Sequence, residues 1–180
     1  MKIRFLIIGF IFVLLLIIGL RFNKSEDFAN GKEGNMKLTS VFKNGERIPA
    51  EYTCDGDDIC PEFYVTDVPK TAKSLVMIAD DPDAPVGLFV HWLLYNIPTS
   101  TDKFSAQDLP NGAVEGTTDF GRIGYGGPCP PNGTHRYFFK LYALDKTLDL
   151  PSGVTKRKLE EEIREHIIEK AELMGVYSRH

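Results

Sequence analysis

Short apolar runs alternate along the chain with segments where glycine, proline and acidic residues interrupt any regular pattern. The first run, Phe5–Leu20, has 16 uninterrupted apolar positions between Lys2 and Arg4 on one side and Arg21 on the other. Its length, the flanking cations and the lack of an Ala-x-Ala-type cleavage site predict a retained single-pass membrane anchor over 1–22 rather than a cleaved signal peptide. So short a leading segment favours a cytoplasmic N-terminus and a domain on the extracytoplasmic side. The polar, glycine-containing stretch 23–36 reads as a linker, and 37–180 as the folded domain.

Within that domain the periodicity is mostly two. Leu38–Phe42 alternates and meets Asn44-Gly45, a hairpin-grade turn, after which Ile48–Tyr52 is expected to continue the pairing. Ser74–Ala79 is a short continuous apolar run, as expected of a strand buried on both faces, and Val90–Ile97 reads as another buried strand. Asp80–Pro85 between them forbids regular structure, and Thr99–Gly116 reads as loop. His135–Leu144 is an aromatic, alternating strand. A period near 3.6 appears only late, where Leu159, Ile163, Ile167, Ala171 and Met174 form one stripe. That stripe predicts a helix over Lys156–Met174 with Thr155 as N-cap and Gly175 as C-terminal stop, followed by a closing strand at Val176–Tyr177. Many short strands, Gly/Pro turns and one helix make a mainly β fold, an antiparallel β-sandwich with a C-terminal α-helix.

Composition narrows the function. The chain is 43% hydrophobic and 26% charged, which is ordinary for a globular protein. Net charge is −4, and the first 36 residues carry +2, so the domain carries −6. An acidic domain argues against a nucleic-acid partner, which would require a basic footprint. Cys54 and Cys60 flank the acidic loop Asp55–Ile59, either as a small disulfide ring or as two reduced hydrophobes in a turn, while Cys129 stands alone between prolines.

Chemistry-bearing residues gather on three segments: the Asp81–Pro85 turn, His91, and the Gly/Pro-rich loop running from Gly121 through Cys129 into His135 and Tyr137. His135 and Tyr137 lie two residues apart on a strand and leave the same face. His91 alternates with Leu93, Tyr95 and Ile97. Two histidines at the heads of apolar strands are costly unless paired, and Asp81 and Asp83 are natural partners for them.

Asp81-Pro82-Asp83-Ala84-Pro85, His91-Trp92, Gly124-Tyr125-Gly126-Gly127-Pro128-Cys129-Pro130-Pro131 and His135-Arg136-Tyr137-Phe138-Phe139 resemble the motifs of the phosphatidylethanolamine-binding protein family, in its bacterial and archaeal Raf kinase inhibitor-like branch. Tyr52-Thr53-Cys54-Asp55-Gly56 is similar to that branch's N-terminal motif. The resemblance spans about Leu38 to Tyr177. It implies a β-sandwich with a small cavity for phosphate-like anions or phosphorylated headgroups, lined by Asp81, Asp83, Pro85, His91, His135 and Tyr137. Pro128-Cys129-Pro130 would form the rim. Cys60-Pro61 departs from the branch, which usually has a polar residue there, and this strengthens the expectation of a Cys54–Cys60 disulfide.

A non-catalytic binding protein without a cofactor is therefore expected. Its alternatives are a protein-interaction module, a protease or kinase inhibitor acting through the pocket rim and the loop 112–134, and a metal-dependent hydrolase. The hydrolase would draw zinc ligands from Asp81, His91, Cys129 and His135, but no pair has the close spacing of a typical zinc motif. Arg136 points away from His135 and Tyr137, toward a salt bridge, and Asn132-Gly133-Thr134, a glycosylation sequon, reads as turn chemistry.

Overall fold

The computed structural model describes residues 34–179. The expected anchor, and the linker up to residue 33, lie outside the described residues. Among the described residues no helix is long and apolar enough to cross a membrane. The expected single-pass membrane placement is thus corrected, since the only described α-helix spans eight residues.

Two antiparallel sheets face each other. The smaller has the order β1-β2-β5, from Lys37–Ser40, Phe63–Thr66 and Lys103–Phe104. The larger has the order β6-β4-β3-β7-β8, from Val114–Glu115, Phe89–Ile97, Ser74–Asp81, Thr134–Leu144 and Ile167–Ser178. Strand β3 is central and buried at every position, as its unbroken apolar run predicts. Leu38, Phe63, Val65 and Phe104 of the small sheet meet Met77, Ala79, Trp92, Leu94, Phe139 and Leu141 of the large one. Phe63 is the hub, with ring centroids 4.8 Å from Phe139, 5.9 Å from Phe104 and 6.4 Å from Trp92.

The outer face of β3 and β7 carries Asp80, whose buried carboxylate accepts from Lys140 Nζ at 2.7 and 2.9 Å. Lys156 Nζ lies 3.7 Å from the same carboxylate and 2.5 Å from Glu160. This links α1, Lys156–Ile163, to the sheet, and Leu159 and Ile163 are buried. A buried carboxylate demands such partners.

The expected long helix is corrected. Thr155 does cap a helix, accepting from Lys158 N, but α1 ends at Ile163, and a 3-10 turn at Arg164–His166 leads into β8. From Ile167 onward the chain pairs with β7 along its length, Ile167 opposite Leu144 and Ser178 opposite Thr134. The stripe was ambiguous because a spacing of four is also an even number: Ile163, Ile167 and Ala171 satisfy a period of two as well as one of 3.6. Leaving β7 as an unpaired eleven-residue edge would expose its whole ladder. Gly175 is consequently no cap. It sits opposite Tyr137 in the ladder, where a Cβ would come within 2.5 Å of Ile48 Cγ1 and 2.8 Å of the Phe42 ring.

The expected hairpin after β1 also differs. Asn44-Gly45 turns, with Gly45 at φ +81°, but the chain then runs to β8. Ile48 N donates to Val176 O and Gly45 N to Met174 O, and Ala50–Tyr52 is a 3-10 turn.

Candidate functional site

The ends of β3, β4, β7 and β8 converge at one edge of the large sheet, where Asp81 pairs with Phe89 and Thr134 with Ser178. There a cavity of about 230 Å³ is lined by Asp81, Ala84–Val86, Phe89, His91, Phe120, Cys129–Pro131, His135 and Tyr137.

Simple alternation sends Asp81, His135 and Tyr137 to the face that also carries Ala79 and Phe139. His91 arrives differently. The register between β3 and β4 shifts between Ala79 and Asp80, so Ala79 pairs with Trp92 and Asp80 with Val90, leaving His91 as the extra residue. Such a bulge re-aims a side chain. His91 therefore leaves the face of Leu93 and Tyr95, where alternation alone had it. Its ring stands edge-on to Tyr137 at 5.2 Å and to Phe120 at 5.3 Å.

His135 Nδ1 donates to Asp81 Oδ2 at 2.7 Å, with both side chains buried. Asp81 Oδ1 accepts from Asp83 N at 2.8 Å, so the carboxylate is held at both oxygens. His91 has no carboxylate partner. Its Nδ1–H donates to Gly126 O at 2.8 Å, and Gly126 N donates back to His91 O at 3.0 Å. This reciprocal pair defines the tautomer and straps the Gly-Pro loop to β4. Burial pulls the His91 pKa below the ordinary histidine value, against the opposing pull of the Gly126 carbonyl and of Asp81 and Asp80. Each imidazole is left with Nε2 as its remaining hydrogen-bonding atom.

Tyr137 lines the same cavity with its ring stacked 6.5 Å from His135. Its hydroxyl is buried and no group meets hydrogen-bond geometry to it. Burial and the Asp81 charge raise its pKa well above the ordinary phenol value, although the Cys129 backbone pulls the other way. The mouth is apolar. Val86 is 81% exposed and Phe120 40%, and Pro85 joins them.

Asp83, expected in the pocket, lies outside it. Its carboxylate takes a bidentate pair from Arg136, at 2.7 Å to Nε and 2.7 Å to Nη2, and also accepts from Arg136 N at 3.0 Å. The guanidinium holds its carboxyl at about 2. Asp83 thus fastens the Asp81–Pro85 turn to β7 from outside, and Arg136 is in the salt bridge expected of it.

The expected Cys54–Cys60 ring is corrected. Cys54 is bonded to Cys129, with Cα atoms 5.3 Å apart and a separation of 75 positions in sequence. Cys60 is free and buried, turned into the core beside Phe63 and Tyr125, and burial pushes its thiol up to about 12. The acidic loop between the two cysteines instead reaches the Gly-Pro loop. Asp58 Oδ1 accepts from Gly127 N at 2.8 Å, and Cys54 N donates to Pro128 O at 3.1 Å. Those contacts place Cys54 against Cys129.

Phe89, Phe120 and Val86 carried no sequence signal for the site. Phe120 reaches it because Asp119 is tied to β4, its Oδ2 accepting from Val90 N at 2.7 Å and its N donating to Val90 O at 3.1 Å. The Gly112–Thr134 segment is accordingly pinned: Val114–Glu115 adds an edge strand to β4 and Gly116 N donates to Leu93 O. Among the described residues no group of three His, Cys, Asp or Glu is arranged to hold a metal ion, and Cys129, being oxidised, offers no thiolate.

Fold and site together define a two-sheet β domain with a largely apolar pocket at one end of its larger sheet, lined also by Asp81, His91 and His135. The family model for phosphatidylethanolamine-binding protein matches residues 38–178, and the chain belongs to that family. Relatives include the UPF0098 protein PH1269 of Pyrococcus horikoshii, 48% identical over 81% of this chain and 77% of its own. The UPF0098 protein of Aquifex aeolicus is 49% identical over 77% of this chain and 85% of its own. Among solved structures, the phosphatidylethanolamine-binding protein homolog CT736 of Chlamydia trachomatis superposes with a TM-score of 0.77 at 44% identity, covering 81% of this chain and 98% of that one. YbcL of E. coli, described as a new member of the mammalian PEBP family, gives 0.76 at 30% identity over 82% and 100%.

Proposed function

We propose that the protein is a non-catalytic binding protein whose pocket holds a small phosphate-like anion or a phosphorylated headgroup. The observation that carries this reading is the cavity wall where His91, His135 and Tyr137 meet, each imidazole keeping Nε2 uncommitted and the Tyr137 hydroxyl buried and unpartnered. An anion seated there would give the phenol an acceptor and would favour a proton on an imidazole Nε2. Cys129, the exposed cysteine at the pocket, is held in a disulfide and offers no thiolate nucleophile.

Charge sets the pH dependence. Asp81 stands behind His135, and Asp80 and Asp81 act on His91, while Asp83 is neutralised by Arg136. With His91 neutral, its Nδ1–H engaged by Gly126, an incoming anion must bring or recruit a proton. The complex then holds more protons than the free protein, so affinity rises as pH falls toward the ordinary histidine range near about 6.5. Titration with phosphoethanolamine at pH 6 and pH 8 tests this. Tighter binding at pH 6, for equal concentrations of the same ligand charge state, is expected. Equal affinity at both values removes histidine from recognition, and no binding at either defeats the reading.

A second reading, docking of a protein partner at the rim, is favoured by the exposure of Val86 and Phe120. On this reading, replacing both with serine would abolish partner binding.

A further inference from the structure

The pocket wall Cys129–Pro131 lies between two anchored stretches. Upstream of it the anchoring is dense: Gly126 exchanges two hydrogen bonds with His91, Gly127 N donates to Asp58, and Pro128 O accepts from Cys54 N. Downstream, β7 begins at Thr134. Between these anchors Pro130 and Pro131 have no N–H to give, and the Cys54–Cys129 disulfide is the one covalent tie among the described residues. The Cys54 side is firm, because Asp55 accepts from Tyr177 OH at 2.8 Å and from Arg179 Nε at 3.0 Å. The Cys129 side is exposed.

We propose that this disulfide is a thiol-exchange site that sets the pocket's affinity: oxidised, it holds the Cys129–Pro131 wall against the cavity, and reduced, it lets that wall move away. The proposal rests on the anion-pocket reading for its effect on ligand, but the motion of the wall can be measured without any ligand. The co-substrate is a small thiol or dithiol. Its thiolate attacks the exposed Cys129 sulfur, the S–S bond breaks, and Cys54 leaves as a thiolate that takes up a proton. A second thiol then displaces the mixed disulfide, so two thiols are oxidised to one disulfide while Cys54 and Cys129 gain two hydrogens. Cys60 does not interfere, being buried with its thiol pushed up to about 12, and thus lacking a thiolate to compete. By linkage, a ligand that prefers the oxidised form shifts the thiol–disulfide balance toward the disulfide by the same factor.

The test uses the full chain in three forms: oxidised, reduced with dithiothreitol and verified by thiol counting, and Cys129→Ser. Phosphate is titrated into each by calorimetry, and amide hydrogen exchange is followed in 126–133. The expected result is a loss of affinity of about fivefold or more on reduction, restored by reoxidation. Cys129→Ser should match the reduced form and ignore dithiothreitol. Exchange in 126–133 should quicken while the β3 amides stay protected. Equal phosphate affinity in the oxidised and reduced forms overturns the proposal, as does unchanged exchange in 126–133. If neither form binds phosphate but exchange quickens, the anion reading fails and takes the affinity claim with it, leaving a mobile wall with another ligand. Should Cys129→Ser not fold, the reversible reduction of the unaltered chain decides alone.

Discussion

Removing one oxygen atom separates the pocket reading from a purely structural one. In Tyr137→Phe the ring that lines the cavity is kept and the buried, unpartnered hydroxyl is lost. A hydroxyl buried without a hydrogen bond costs roughly 1–3 kcal/mol by protein mutational data. The Cys129 backbone, which favours the phenolate, offsets part of that cost, so a gain of about 1 kcal/mol is expected for the free protein. For a domain of this size that corresponds to a rise in Tm of about 2–4 °C. The same variant should bind phosphoethanolamine more weakly, because a donor has left the cavity. Tyr125→Phe is the control. Its hydroxyl is also buried and unpartnered, but Tyr125 does not line the cavity, so stability should rise with affinity unchanged. Denaturant unfolding and calorimetric titration of the three proteins supply both axes. A destabilised Tyr137→Phe would show that the hydroxyl has a native partner. Unchanged affinity would remove the phenol from recognition.

Two further outcomes follow from the clasps around the site. Asp83 titrates at about 2 in the folded protein because of Arg136, below the ordinary aspartate value of about 3.9. A depressed folded pKa contributes stability above the unfolded value that is lost as pH falls through the folded one. The stability advantage of the unaltered chain over Asp83→Asn should therefore shrink between about pH 4 and pH 2; an advantage undiminished at pH 2 would contradict the Arg136 clamp. At Gly127 a methyl group would overlap Asp58 Oδ1 and come within 2.6 Å of the Tyr52 carbonyl. Gly127→Ala should cost about 1–3 kcal/mol and weaken anion binding by displacing the wall. A neutral result in both assays would show that the loop yields freely.

Local pattern is sufficient wherever one element carries its own signal. The apolar run of β3, the apolar-rich β4 and the alternation of β7 have no other good solution, so these strands and the shared face of His135 and Tyr137 were legible. The motifs also named His91, His135 and Tyr137 of the cavity. Pairing was a different matter. Ile163, Ile167 and Ala171 fit a helix and a strand alike, and only the open edge of β7 decides for the strand. His91 reaches the cavity through a register shift that exists only once β3 and β4 are side by side. Cys54 meets Cys129 across a separation of 75 positions because Asp58 and Gly127 bring their loops together, and Asp83 leaves the pocket because Arg136 lies beyond it. Sequence determined strands β3, β4 and β7 and the chemical inventory of the site, since those depend on near neighbours. Tertiary structure alone decided which of these residues face one another, because register, bulges and loop contacts join segments that share no local signal.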